Sequence, residues 1–276
     1  MTSTPAPDGS PAARYTHGHG PAVLAGHSRR TAADSAAYLL PRLRAGLDLL
    51  DVGCGPATIT ADLAGAVAPG RVVALDGAPA AIDAARATLR GRGLADAVEL
   101  VRGDVHALPF ADGGFDVVHA HQVLQHVADP VAALREMARV ARPDGIVAAR
   151  DSVYSAKAWF PQPPALERWR EVYMATARAN GGEPDAGSRL LSWARAAGLH
   201  QVEASASTWC YATPELRSWW GGTWAERCLT SFGPRAVELG LTSAAELEEM
   251  AAAWREWAAA PDGWYVVVHG EILARP

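Results

Sequence analysis

Residues 47–58 run from a short apolar segment, Leu47 to Val52, through Gly53-Cys54-Gly55 and straight into a helical pattern. Two glycines one residue apart let the backbone turn back with positive φ, so a strand must meet a helix across a tight loop. The same alternation then recurs. Residues 57–68 carry Ile59, Leu63 and Val67 at helical spacing and stop at Pro69-Gly70, and residues 71–76 are a second apolar strand. A helix over 79–91 puts Ile82, Ala85 and Leu89 on one face, and strands follow at 97–102 and 115–120. Asp129-Pro130 supplies an N-cap and a first-turn proline for a helix that buries Val131, Leu134, Ala138 and Ala141. That helix ends before the turn Pro143-Asp144-Gly145, and a fifth strand spans 146–150. Short apolar strands alternating with amphipathic helices predict a parallel sheet covered on both faces. Ligands of such a sheet bind beyond the carboxyl ends of its strands, beside the first one.

The flanks are less regular. Residues 31–43 read as a helix ahead of the first strand. Residues 152–187 are rich in proline, glycine and aromatic residues and read as a lid over the substrate, with 166–179 helical. Helices are expected from Ser188 to Ala197, ended by Gly198, and from Thr213-Pro214 onward. The run Ser243-Ala-Ala-Glu246 is a capping box, and the helix after it carries Leu247, Met250, Trp254 and Trp257 on one face. Strands at 200–211 and 264–273 are expected to pair antiparallel at the sheet edge. All ten tryptophans lie between Trp159 and Trp264, which divides the chain near residue 155. The expected organisation is a disordered lead-in at 1–14, N-terminal helices at 15–45 and a cofactor-binding core at 46–151. The lid at 152–187 and the C-terminal half of the sheet with inserted helices, 188–276, complete it. Trp219-Trp220 and the Trp254/Trp257 stripe serve either packing or a contact between subunits of a homo-oligomer.

Composition narrows the partners. The net charge is −5, Lys157 is the only lysine, and no basic run exists, which argues against nucleic acid. No apolar stretch is long enough to cross a membrane, and the N-terminus lacks the basic and apolar regions of a signal, so a cytoplasmic location is expected. Cys54, Cys210 and Cys228 are scattered and odd in number, which suits neither a disulfide framework nor zinc. His17, His19 and His27 cluster ahead of the core without a supporting carboxylate, so no metal is expected.

The glycine turn specifies its ligand further. A dinucleotide fold needs Gly-x-Gly-x-x-Gly, and here the run is Gly53-Cys-Gly55-Pro-Ala-Thr58 with Asp51 just ahead of it. A carboxylate is unwelcome beside a pyrophosphate but suits a cofactor carrying an ammonium and a sulfonium, and S-adenosylmethionine fits. Asp51 is then placed to serve the amino group directly or through water. Asp76 ends the second strand, where a carboxylate accepts from ribose hydroxyls, a feature shared with nicotinamide enzymes. Asp104 follows the third strand and is placed to accept from the adenine amine; the alternative is a surface Asp in a turn.

These pieces resemble the class I S-adenosylmethionine-dependent methyltransferases, in the branch that includes ubiquinone and menaquinone C-methyltransferases. The resemblance is carried by LLDVGCGPATIT at 49–60, VVALDGAPAAI at 72–82, GDVHALPF at 103–110 and FDVVHAHQVLQHVADPVAAL at 115–134. It implies a doubly wound seven-stranded α/β sheet of order 3-2-1-4-5-7-6 with a helical lid and an N-terminal helical cap. It implies that Asp51, Gly53, Cys54 and Gly55 cradle the methionine part, Asp76 and Gly77 the ribose, and Asp104 and Val105 the adenine. His121 lends its backbone to the methionine end, and the segment from Tyr15 covers the cofactor. Arg30 pairs with the cofactor carboxylate or is a solvated surface arginine.

Methyl transfer from a sulfonium is an in-line displacement that asks the protein mainly to position the nucleophile and exclude water. The resemblance places His126 on the helix facing the acceptor, and Asp151 and Tyr154 directly follow the fifth strand. His126 and Asp151 are therefore the candidate acid–base groups. His126, Tyr154, Trp159, Phe160 and Tyr173 are the candidate contacts to the acceptor, with core packing as the alternative for the aromatic ones. The expected enzyme methylates O, C or N of a small aromatic or lipophilic molecule in secondary metabolism. The alternative is a protein of the same fold that binds the cofactor without transferring methyl, as a cyclase or binding module. A nicotinamide oxidoreductase would want a Tyr-x-x-x-Lys pair, and Tyr154-Ser-Ala-Lys157 is one residue short.

Overall fold

The computed structural model describes residues 29–276. Seven strands form one sheet in the order β3-β2-β1-β4-β5-β7-β6. They are β1 (Leu49–Val52), β2 (Val72–Asp76), β3 (Val98–Arg102), β4 (Phe115–His121), β5 (Ala141–Phe160), β6 (His200–Tyr211) and β7 (Trp264–Arg275). The first five run parallel, and β7 is antiparallel to both β5 and β6. Both the doubly wound fold and the strand order implied by the sequence resemblance are the ones found. The order reverses between β1 and β4, which opens a crevice at their carboxyl ends.

Nine α-helices surround the sheet among the described residues: α1 (Ala32–Ser35), α2 (Thr58–Val67), α3 (Pro79–Gly91), α4 (Pro130–Val140), α5 (Pro164–Ala179), α6 (Ala186–Ala197), α7 (Pro214–Thr230), α8 (Phe232–Glu238) and α9 (Ala244–Ala259). Their ends follow local chemistry. The Asp129 carboxylate accepts from Ala132 N at 2.8 Å to start α4. Ser243 and Glu246 close a reciprocal capping box on α9, and Gly198 ends α6 at φ 94°. Every residue of β1 is buried, as expected of a strand covered on both faces. Leu63, Val67, Ala85 and Leu89 of α2 and α3 pack one face, while Leu134, Met137 and Leu190 of α4 and α6 pack the other.

A third core is almost entirely aromatic. Trp169, Tyr173, Trp224, Trp254, Trp257 and Tyr265 are buried where α5 and α7 to α9 meet the far ends of β5 and β7. Ring centroids 4.6–4.8 Å apart, at 75° and 88°, set Trp169 edge-on to Trp224 and Trp254. That geometry satisfies the ring quadrupoles. The tryptophan-rich half of the sequence is thus the half that builds this helical lobe.

Three expectations differ from the structure. Residues 31–43 are not one helix but a single turn, α1, broken at Ala36 where φ is −136°, and a separate 3₁₀ turn at Leu40–Arg42 whose first turn accommodates Pro41. The fifth strand is longer than 146–150. It begins at Ala141, bulges where residues 142–145 stand against residue 116 alone, and extends to Phe160. Residues 152–160 are therefore sheet rather than lid. They pair with β7, Ser152 opposite His269 and Phe160 opposite Trp264, so the backbone groups that a lid would leave to water join the ladder.

Candidate functional site

The turn after β1 is built from three left-handed residues in alternation: Gly53 at φ 67°, Gly55 at φ 54° and Ala57 at φ 58°. The Gly53 and Cys54 N–H groups both donate to the Leu75 carbonyl, at 2.7 and 3.0 Å, which stitches the turn to β2. A Cβ on Gly53 would stand 2.3 Å from Val123 Cγ2, whereas one on Gly55 would meet nothing within 4 Å. Gly53 is thus a packing requirement, and Gly55 presents bare backbone to open space.

Carboxylates frame this turn. Asp76, at the end of β2, accepts from Gly55 N at 3.0 Å and Ala78 N at 2.9 Å. Asp51 is buried, with one oxygen 2.5 Å from the donating Thr60 hydroxyl and the other 2.8 Å from His119 Nδ1. Both its oxygens are engaged, so it ties α2 and β4 to β1 from beneath the turn. Asp104 lies beyond β3 on the surface and accepts from His106 N at 2.9 Å. That backbone hydrogen bond holds its carboxyl below the usual range. Gly103 N donates to the Asp76 carbonyl, which brings Asp104 beside Asp76, and Val105 is buried in the core. The structure therefore gathers Asp51, Gly53, Cys54, Gly55, Asp76, Gly77 and Asp104 at adjoining strand ends. Tyr15, with His17, His19 and His27, lies outside the described residues.

A second polar cluster sits across the crevice, at the end of β4 and where β5 runs on past it. His121 is buried with neither ring nitrogen bonded to a described residue, and burial, reinforced by Arg150 and Arg30, keeps its pKa well below the usual histidine value. Asp151 is fully buried. One oxygen accepts from Gln125 N at 3.2 Å, the other has no partner among the described residues, and burial pushes its pKa up to about 8. Ser152 donates to Gln125 Oε1 at 2.6 Å, and the Gln125 amide lies 2.9 Å from His126 Nε2. His126, half-buried on a 3₁₀ turn, is thereby linked to Ser152 through one glutamine.

Next to this cluster is a cavity of about 470 Å³ between β5, β6, β7 and α7. Gln122, Ser152 and Tyr154 reach it from the sheet ends, and Tyr211, Trp220 and Trp224 give it an aromatic wall. Of the aromatic residues expected from sequence to contact the acceptor, only Tyr154 lines it, while Trp219 and Trp220, expected to serve packing or a subunit contact, line it as well. Tyr173 stacks on Tyr154 at 4.4 Å from within the aromatic core, and Trp159 stacks on Tyr265 at 5.6 Å. Phe160 alternates outward on β5 and is 55% exposed. Neither His126 nor Asp151 reaches the cavity wall; both stand behind Gln125 and Ser152. Arg30 does line it, donating to Gln122 Oε1 at 2.7 Å with its guanidinium 5.3 Å from the Trp209 ring.

Sequence reading missed much of this wall. Gln122, Lys157, Trp209 and Arg227 line it, and behind them Arg150 bridges Glu271 and Ser207 at 3.1 Å and lies 3.0 Å from His269 Nδ1. Two signals pointed there. Lys157 is the only lysine, and the pairs Ser205/Ser207 and His269/Glu271 repeat polar residues at the spacing that shares one face of a strand. Among the described residues no group of His, Cys, Asp or Glu is arranged to hold a metal.

Residues 50–149 match the family model described as a methyltransferase domain. An uncharacterized methyltransferase from Schizosaccharomyces pombe is 31% identical over 268 residues, covering 94% of this chain and 95% of that one. A ubiquinone/menaquinone biosynthesis C-methyltransferase from Hahella chejuensis is 38% identical over 104 residues, covering 37% and 42%. Among solved structures, a [4+2]-cyclase superposes with a TM-score of 0.55 at 22% identity, covering 90% and 85%. The chain belongs to the S-adenosylmethionine-dependent methyltransferases.

Proposed function

We propose that this enzyme methylates O, C or N of a small aromatic or lipophilic molecule seated in the cavity beside Gln122 and Ser152. The observation that carries the proposal is the cavity's place. It adjoins the carboxyl end of β4 and the stretch of β5 that runs on past it, across the switch point from the glycine turn, and its wall is aromatic.

The residues fit the cofactor on this structure's own terms. Gly55 leaves open space where a ligand must approach backbone, and Asp76 is fixed by two N–H donors with lone pairs remaining. In this reading the turn at 53–55 holds the methionine part, Asp76 the ribose, and Asp104 with Val105 the adenine. Asp51, engaged by Thr60 and His119, holds the turn in shape. When bound, the cofactor supplies an electrophilic methyl on sulfonium. The chain's own work is to orient the acceptor and exclude water. Asp151, whose pKa is raised to about 8 by burial, keeps its proton at neutral pH and serves as a positioning group through the Gln125 N–H it accepts. It fixes Gln125, which orients Ser152 at the cavity wall, and His126 braces the same glutamine. A cytoplasmic location and a role in secondary metabolism belong to this proposal. No helix among the described residues is long and apolar enough to cross a membrane.

The fold alone does not separate transfer from cofactor binding without transfer, since a cyclase shares it. Methyl-labelled S-adenosylmethionine incubated with the protein and a panel of phenols, quinones and indoles separates them. Labelled product with stoichiometric demethylated cofactor is expected. Cofactor that binds but is never demethylated, across the whole panel, overturns the proposal.

A further inference from the structure

The cavity wall holds a charge imbalance that the proposed reaction does not use. Lys157 and Arg227 both line it, and both are buried, at 4% and 5% exposure. Among the described residues neither forms an ion pair, and the Arg227 Nε has no hydrogen-bond partner. They rest instead on aromatic faces. The Lys157 ammonium lies 3.0 Å from the Tyr154 ring centroid, and both cations stand over the Trp224 ring, at 5.5 and 5.1 Å. Arg29 and Arg30 add positive charge to the same wall. Its carboxylate, Asp34, is committed to capping α1, accepting from Thr31 N and Asp34's neighbour Ser35 through Oδ1.

Buried charges are ordinarily paired, because an unpaired ion loses hydration with nothing in return. Cation–π contact recovers only part of that lost hydration. Burial, with Arg227 nearby, accordingly holds the Lys157 pKa well below the ordinary lysine range. A wall that keeps two such groups facing one cavity is complementary to an anion rather than to a neutral ring.

We propose that the acceptor carries a carboxylate or phosphate group held between Lys157 and Arg227, with its apolar body against Tyr211 and Trp220. This rests on the reading of the cavity as the acceptor site. The anchored anion fixes one end of the acceptor, and the atom to be methylated is presented toward Gln122 and Ser152 at the other.

Matched probes test it: 1-naphthoate, 1-naphthyl phosphate and the neutral 1-naphthalenemethanol, titrated by calorimetry into wild type, Lys157→Met, Arg227→Met and Thr223→Trp. Thr223 also lines the cavity, and tryptophan there fills it. At least one anion is expected to bind ten times or more tighter than the alcohol. Each methionine variant should remove that preference while leaving the alcohol and the demethylated cofactor unaffected. The methionine variants should melt no lower than wild type, since each replaces a buried basic head without an ion-pair partner by an apolar chain of similar length. Equal binding of anions and alcohol, with Thr223→Trp blocking all of them, overturns the anion proposal and leaves the acceptor site standing. Probe binding and methyl transfer that Thr223→Trp does not change overturn the reading of the cavity itself. Absence of any charge preference, even where no probe binds, also overturns the proposal.

Discussion

Replacing Gly53 with alanine tests whether the cofactor turn is held by packing or merely by backbone freedom. The new Cβ would sit 2.3 Å from Val123 Cγ2, against about 3.5–4.0 Å for carbon atoms in contact. The turn cannot retreat, because Gly53 N–H is bonded to Leu75 O at 2.7 Å. Val123 is itself packed against the core between β4 and the following 3₁₀ turn. The left-handed backbone adds about 1–2 kcal/mol for a residue with a Cβ, and overpacking adds about 1–3 kcal/mol. The expected loss is roughly 2–5 kcal/mol, a fall of about 3–9 °C in melting temperature for a chain of this size. Urea unfolding of Gly53→Ala, Val123→Ala and the double variant closes a cycle. Trimming Val123 removes the clash but not the φ strain, so a favourable coupling of about 1–3 kcal/mol is expected. Additivity within about 0.5 kcal/mol would refute the reasoning and assign the whole effect to the backbone.

Gly55→Ala should behave oppositely: a stability loss of only about 1 kcal/mol from its positive φ, with affinity for the demethylated cofactor falling at least tenfold in calorimetry. Ala57, at φ 58° and ψ 27°, carries strain that glycine would release, so Ala57→Gly should gain about 1 kcal/mol in the same unfolding assay. Asp151 has a folded pKa near 8, above its unfolded value of about 3.9, so the native state holds the extra proton between those limits. Stability should therefore fall as pH rises from about 4 to 8, by up to about 1.4 kcal/mol per unit, and Asp151→Asn should flatten that slope. Glu271→Gln leaves buried Arg150 without its carboxylate, 3.1 Å away, and should cost about 3–5 kcal/mol in a denaturant melt.

Much of the core was legible because its signals are local. The helix starts at Asp129-Pro130 and Ser243 to Glu246, and the turn at 53–55, depend on a few neighbouring residues whose geometry allows one outcome. The acceptor wall was not legible in the same way. Tyr154, Trp159, Phe160 and Tyr173 have the same aromatic character in sequence. Yet one lines the cavity, two are locked in the aromatic core and one faces solvent, because the register of β5 against β7 assigns the faces of the three strand residues and the packing of α5 buries Tyr173.

What the sequence by itself determined is the alternation of strand and helix, the glycine turn and the carboxylates that end β1 and β2, since hydrophobic period and φ preference act within a few residues. Which side chains meet in the cavity was decided only when β5, β6, β7 and α7 came together. Lys157 and Arg227 are 70 residues apart in the chain and become neighbours over one indole ring through contacts that no local pattern encodes.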